Sequence, residues 1–213
     1  MNGTPDGAPA RDLFVFGAGW FALEIAAWAE DCGWRVRGLV ELMDPARVST
    51  NHGGYEVVDA STLPAGAFAI AAGGRSVDRR DAWEPAARQG CEAVAITHPR
   101  AHLAKSVTID PGAIVGPSAV IGAGAHVRAH ALVSRGALVG HHAVIGEFTR
   151  VYPGANLAGH VKVGSDAMLG MGAIVVDHAE IGDRATVAAG AVVVRDVAAG
   201  ARVQGVPARP YER

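Results

Sequence analysis

The chain has 213 residues, half of them apolar and 19% charged, so it can bury a core and lacks the composition of a disordered protein. Nineteen Lys and Arg stand against twenty-one Asp and Glu, and a net charge of −2 argues against a broad basic surface for nucleic acid. Two cysteines, Cys32 and Cys91, make neither a disulfide framework nor a four-cysteine zinc site, and no apolar run is long enough to span a membrane.

Residues 1–10 carry Pro, Gly and acid rather than a signal sequence, which predicts a disordered N-terminus on a soluble, cytoplasmic protein. Leu13-Phe14-Val15-Phe16 then reads as a buried strand. Gly17-Ala18-Gly19-Trp20-Phe21-Ala22 follows, opening an amphipathic helix to about Cys32. A second strand runs near Val36–Val40 and ends at Glu41, and a third, Ala67–Ala72, runs into Gly73-Gly74. Ser76–Gln89 is helical, Cys91–Ile96 is a fourth strand, and Thr97–Ser106 is the joint to the second half. Strand and helix alternate, which predicts a small Rossmann-like parallel sheet over residues 11–100.

Gly17-x-Gly19-x-x-Ala22 with Glu41 beyond it fits a dinucleotide fingerprint, glycines for close approach to a pyrophosphate and an acid for ribose hydroxyls. Any first strand-to-helix turn favours glycine, and so short a unit leaves little room for the substrate domain of an NAD-linked redox enzyme. A nucleotide at the carboxyl ends of these strands is the better fit.

From Ile109 the chain is periodic. Every sixth residue is aliphatic through Val193, with Ala199 closing the series, and the residue four further on is Ala in twelve of sixteen repeats. Neither a helix period of 3.6 nor a strand period of 2 explains a strict six. The repeat suits a parallel β-helix: the aliphatic side chain fills a narrow prism, Ala fits where the wall turns, and Gly, Asp and Ser serve the corners. Three sides of six residues give eighteen per coil, so residues 101–213 predict about five coils. That count puts His142, His160 and His178 in one column. Coils stack ~4.8 Å apart, so three histidines in a straight ladder do not converge on one zinc ion, and the column reads as a solvated ladder with no metal.

Val139-Gly140-His141-His142-Ala143-Val144-Ile145-Gly146-Glu147-Phe148 resembles the catalytic segment of hexapeptide-repeat acyltransferases, specifically the bacterial sialic-acid-pathway-type, nucleotide-4-aminosugar N-acetyltransferases. The likeness continues through Ala158–Gly164, Leu169–Ala173 and Gly205-Val206-Pro207-Ala208. It implies a left-handed β-helix behind a small α/β domain, acetyl-CoA as donor, a nucleotide-sugar or other small amine as acceptor, and a homotrimer with the donor in the groove between subunits. It makes His141 the general base with His142 beside it, and sets Arg150, Met171 and Ala189 along acetyl-CoA. Gly19, Trp20, Phe21, Glu41 and Gly73 fall on the acceptor side. Phe148, Met168 and Met171 are expected to face outward between subunits.

The chain departs from this pattern at named places. His142 stands where the family commonly has Asp or Glu, and Phe21 where it has a loop histidine. Leu42 stands where an acid often follows, and Gly73-Gly74-Arg75-Ser76 lacks the usual amide side chains. The residues leave two other readings open: a metal-dependent lyase of the γ-carbonic-anhydrase kind, although the His-x4-His pair of that family is missing, and a non-catalytic nucleotide-binding β-helix protein.

Overall fold

The computed structural model describes residues 11–73 and 76–211; the expected N-terminal tail (residues 1–10) and Gly74-Arg75 lie outside the described residues. The chain divides into two compact units at Pro99 and Arg100. No described helix is long and apolar enough to cross a membrane.

In the first unit, β1 (Asp12–Phe16), α1 (Trp20–Asp31), β2 (Arg35–Glu41), β3 (Asn51–His52), β4 (Tyr55–Asp59), β5 (Phe68–Ala71), α2 (Ser76–Arg88) and β6 (Glu92–Ala93) follow in that order. The sheet order is β3-β4-β2-β1-β5-β6. All neighbouring strands run parallel except the β3–β4 hairpin. The sheet is therefore mixed, where the sequence pattern predicted a purely parallel one. The turn that reverses the chain is Gly53-Gly54, both at positive φ (58° and 97°), with Asn51 Oδ1 accepting the N–H of Gly54 at 3.0 Å. Two glycines between short extended runs are a hairpin signal that the reading missed. The expected fourth strand is also shorter, Glu92–Ala93, with a separate strand at Ile96–Thr97. One face of the sheet packs Phe16, Val40, Ala69 and Ala71 against Ala82 and Ala86 of α2. Helix α1 buries Ala22, Ile25, Ala26, Trp28 and Ala29.

The second unit is a left-handed parallel β-helix whose two-residue strands form three walls. Each residue pairs with the one eighteen positions on. Ile114, Leu132, Arg150, Met168 and Thr186 stack on one wall. Val120, Leu138, Asn156, Ile174 and Val192 stack on the second. Thr108, His126, Val144, Lys162 and Glu180 stack on the third. The second residue of each strand points inward: Val115, Ile121, Val127, Val133 and Ile145 have no exposed surface. The alanines at the turns, Ala113 through Ala191, fill the same core at 4% exposure or less.

The single threonine of that series, Thr149, is buried but satisfied. Its hydroxyl donates to Gly164 O at 2.5 Å and accepts from Ala167 N at 3.0 Å. A buried hydroxyl so paired avoids the penalty of an orphaned polar group.

From Gly112 to Gly190 each corner has one left-handed position. At the corner after the second wall it falls on Gly124, His142, His160 and His178, with φ of 71°, 56°, 57° and 61°. Three consecutive histidines thus adopt a conformation usually left to Gly, Asn or Asp. Most of the corner glycines picked out by sequence serve a different need. A Cβ on Gly122, Gly146, Gly164, Gly170 or Gly182 would lie 2.3–2.6 Å from an atom of the next coil, so close stacking requires glycine there.

Candidate functional site

His141 and His142 follow the strand Leu138–Val139 at a tight corner. A Cβ on Gly140 would come within 2.4 Å of the carbonyl carbon of Ala158, so only glycine lets this corner settle on the coil above. Hydrogen bonds to both neighbouring coils then fix the backbone: His142 N–H donates to Ala123 O and His160 N–H to His141 O, each at 2.8 Å.

The imidazoles meet on this frame. His141 Nδ1 and His142 Nδ1 are 3.1 Å apart, a separation at which one nitrogen carries a proton and the other accepts it. The His141 ring lies over Gly159, where a Cβ would meet Nε2 at 2.6 Å. His142 and His160 stack with centroids 5.0 Å apart and planes within 8°, and His141 stands nearly perpendicular to both. His178 continues the stack above His160 at 4.7 Å, its Nδ1 held by Asp177 at 3.0 Å. Ring-on-ring desolvation and then the neighbouring imidazoles of His178, His141 and His142 push His160 below the ordinary histidine value, against a smaller opposing pull from Asp177. The predicted column of His142, His160 and His178 is therefore real, but the rings that converge are His141, His142 and His160.

The residues expected along the donor lie elsewhere in the same chain. Met171 and Ala189 form one column at the corner before the second wall, both exposed, and Gly190 N–H donates to Met171 O across it. Among the described residues, the amides of Gly159 and Met171 have no acceptor, which leaves both N–H groups available to a ligand oxygen. Arg150 is only 2% exposed and turns to Tyr152, its Nη1 donating to the phenol oxygen at 2.9 Å. It does not sit on an open groove within this chain. Phe148 also departs from expectation: it is 6% exposed and stacked on His130, so it is not an outward contact, whereas Met171 is 58% exposed.

The second wall carries the apolar surface instead. Val120, Leu138 and Ile174 are each 40–44% exposed along one column. The histidine corner borders one edge of this wall and the Met171 corner the other.

In the first unit, the expected acceptor residues gather at the carboxyl ends of β1, β2 and β5. Gly17, at φ 115°, donates its N–H to Val40 O, and Gly19 caps α1 without a side chain. Trp20 and Phe21 are not loop residues but the first turn of α1. Trp20 is 82% exposed and edge-on to His52, whereas Phe21 is half-buried with its edge toward Trp28 of its own helix. Of the two rings, Trp20 is the more exposed. Gly73 is buried at the end of the β5 segment.

Glu41, at the end of β2, is held by the loop that follows it. Its Oε1 accepts the N–H groups of Leu42, Met43 and Asp44, and its Oε2 pairs with Arg47 Nη1 at 2.9 Å. Arg47 Nη2 in turn donates to Ala18 O at 2.7 Å. Burial raises the carboxyl's pKa, but the three N–H groups and Arg47 outweigh it and hold the group below its usual range. Through Oε1 the carboxylate braces the loop that follows β2, while Oε2, buried beside Arg47, accepts no hydrogen bond and keeps an acceptor position for a ligand hydroxyl.

Sequence reasoning missed Arg47, His52 and Arg79. Arg79 is fully buried in α2 with Nη1 donating to Ala71 O at 2.6 Å, and no local pattern marks it. Burial followed by Asp31 pushes the Cys32 thiol up to about 11, so it is no nucleophile at neutral pH.

Comparison with known proteins agrees with this architecture. The bacterial transferase hexapeptide family (six repeats) matches residues 160–195. No curated protein matches the chain. The acetyltransferase domain of PglB from Neisseria gonorrhoeae FA1090, solved with acetyl coenzyme A, is 30% identical over 95% of this chain and all of its own, with a TM-score of 0.86. PerB from Caulobacter crescentus, solved with CoA and GDP-perosamine, is 28% identical over 96% of this chain and 99% of its own, with a TM-score of 0.85. WeeI from Acinetobacter baumannii AYE, 23% identical over 95% of this chain and all of its own, shares the fold at a TM-score of 0.84.

Proposed function

The chain belongs to the hexapeptide-repeat acyltransferases of the nucleotide-aminosugar N-acetyltransferase type, and from that premise we propose that it moves the acetyl group of acetyl-CoA to the amine of a nucleotide-linked amino sugar, with His141 as general base. The observation that carries the reading is the 3.1 Å contact between the two Nδ1 atoms. If His141 Nδ1–H donates to His142, the lone pair of His141 lies on Nε2, over Gly159 and open to an incoming amine. His142 then does, as a neutral acceptor, the orienting work of the family's carboxylate. It brings no negative charge to the dyad.

In this mechanism the amine nitrogen attacks the thioester carbonyl while Nε2 takes its proton. The tetrahedral oxyanion forms, for which the amides of Gly159 and Met171 are the available donors. Its collapse breaks the C–S bond, and the proton returns from His141 to the departing sulfur, giving the amide and coenzyme A as a thiol. Imidazole suits the task because its ordinary pKa lies near neutral pH. The acceptor's nucleotide is assigned to the crevice at the carboxyl ends of β1, β2 and β5, with Trp20 as a stacking face.

We assign the assembly as a homotrimer. His141 borders one edge of the apolar second wall and Met171 and Ala189 the other, so copies packed through Val120, Leu138 and Ile174 set one subunit's base beside another's donor residues. A reaction drawing on acetyl-CoA and a nucleotide sugar belongs in the cytoplasm.

The test is thiol release on mixing the protein with acetyl-CoA and GDP- or UDP-linked 4-amino sugars, with sedimentation in parallel. Turnover that needs both substrates, in a trimer, is the expected result. A donor bound at ~10 μM and supplied at 1 mM stabilises the fold by about 2.7 kcal/mol. Neither thiol release nor a thermal shift would leave a binding protein, and a stable monomer would end the shared-site mechanism.

A further inference from the structure

His141, His142 and His160 each offer a nitrogen, and these atoms lie within 4.8 Å of one another on the exposed histidine corner. We propose that this corner is a binding site for one late divalent transition-metal ion, Zn²⁺, Ni²⁺ or Cu²⁺. The inference goes beyond the transferase reading, because the three imidazoles would hold the ion whatever reaction the corner performs.

The distances are those of a site awaiting small side-chain rotations. Nitrogens bound tetrahedrally at ~2.1 Å sit about 3.4 Å apart. The Nδ1 atoms of His141 and His142, at 3.1 Å, are already near that spacing. His160 lies one coil above His142 with its ring parallel, and His141 stands across both at 83° and 88°, so the third nitrogen approaches from a second direction. This removes the objection to the straight ladder, since the ion sits beside the column and not along it. The two column members are locked in the left-handed corner conformation, so little backbone freedom is lost on binding.

Donor chemistry selects the metal class. Three neutral imidazoles with no carboxylate or thiolate suit zinc, nickel and copper and do not suit Mg²⁺ or Ca²⁺. The exposed corner leaves a fourth position to water. Binding moves the proton between the two Nδ1 atoms to the far ring nitrogen, so each imidazole stays neutral and both Nδ1 lone pairs face the ion. His178 is left out, one coil further along with its Nδ1 held by Asp177.

The experiment uses the full, tag-free chain, stripped with chelator and titrated with Zn²⁺ by calorimetry and with Co²⁺ by visible absorption. One saturable ion per chain is expected, with the intense visible bands of four-coordinate cobalt. His142→Asn and His160→Asn should each weaken binding at least ~10-fold, because losing a ligand costs no less than losing a partner behind one. Asn is chosen because it tolerates the left-handed corner. His178→Asn should bind like the wild type. Absence of saturable binding in the folded wild type would overturn the site. So would wild-type affinity in a folded His160→Asn, or an equal loss in His178→Asn.

Discussion

In the β-helix a residue's neighbours follow from its number: eighteen positions beyond Val139 lies Leu157, and eighteen beyond His142 lies His160. In the N-terminal unit no such rule holds. Arg47 reaches back to Ala18 and to Glu41, Trp20 reaches forward to His52, and Arg79 reaches back to Ala71, each across a different separation. The β-helix repeats one solution, so its stability is close to a sum of like terms between adjacent coils. The N-terminal unit meets each polar group singly, and the loss of one brace has no equivalent elsewhere.

The largest effect should come from the repeated core. Ile145 is fully buried, and Ile145→Ala should lower unfolding free energy by about 2–5 kcal/mol, read as a fall in urea midpoint. A change no larger than that of a surface substitution would mean that the coils do not depend on this packing.

The histidine corner tests whether a regular scaffold can be emptied of function without loss of fold. His141→Asn should lower kcat by at least ~100-fold, the low end of what general-base catalysis contributes, with the melting temperature nearly unchanged because the side chain is exposed. Near-normal turnover would remove His141 from the mechanism.

Gly159→Ala sharpens the same point with no charge altered. Its Cβ would meet His141 Nε2 at 2.6 Å and must swing the ring aside. Displacement of a reacting group by about 1 Å can cost ~100-fold, so a fall in kcat of ~10- to ~100-fold is expected, with the coil pairing intact by circular dichroism. Unchanged kinetics would show that the ring need not lie over Gly159 to act.

The smallest effect should come from the brace in the other unit. Glu41→Gln keeps an acceptor for the three N–H groups but loses the pairing with Arg47, for about 1 kcal/mol at neutral pH. The folded carboxyl lies below its unfolded value, so its stabilisation is complete above the ordinary Glu pKa and disappears as pH falls through the folded one. Melting curves of wild type and Glu41→Gln should therefore differ at pH 7 and draw together as pH falls below the ordinary Glu pKa. A gap that does not change with pH would show that the ionised carboxylate is not what braces the loop.

The second half was legible because its information is local and repeated. An aliphatic residue every six and alanine four further on leave one way to close a narrow prism, so the β-helix, its eighteen-residue coil and the His142–His160–His178 column all follow from counting. β1, α1, β2, β5 and α2 were legible from their own local patterns and turn residues, whereas the short β3–β4 hairpin between Glu41 and Phe68 was not.

Tertiary structure decided what depends on side-chain direction and on contacts between distant residues. Counting by eighteen relates His142 to His160 but says nothing of the ring of His141, which crosses from one coil to lie over Gly159 in the next. Glu41 stands at the right distance from the glycine turn, but that its own loop folds three N–H groups onto Oε1 and sets Arg47 beside Oε2 could not be counted from spacing. Phe148 occupied an outward register position, and the stack on His130 buried it. In each case the residue type set what the group could bind, and only the folded chain, by placing a nearer partner, determined what it does bind.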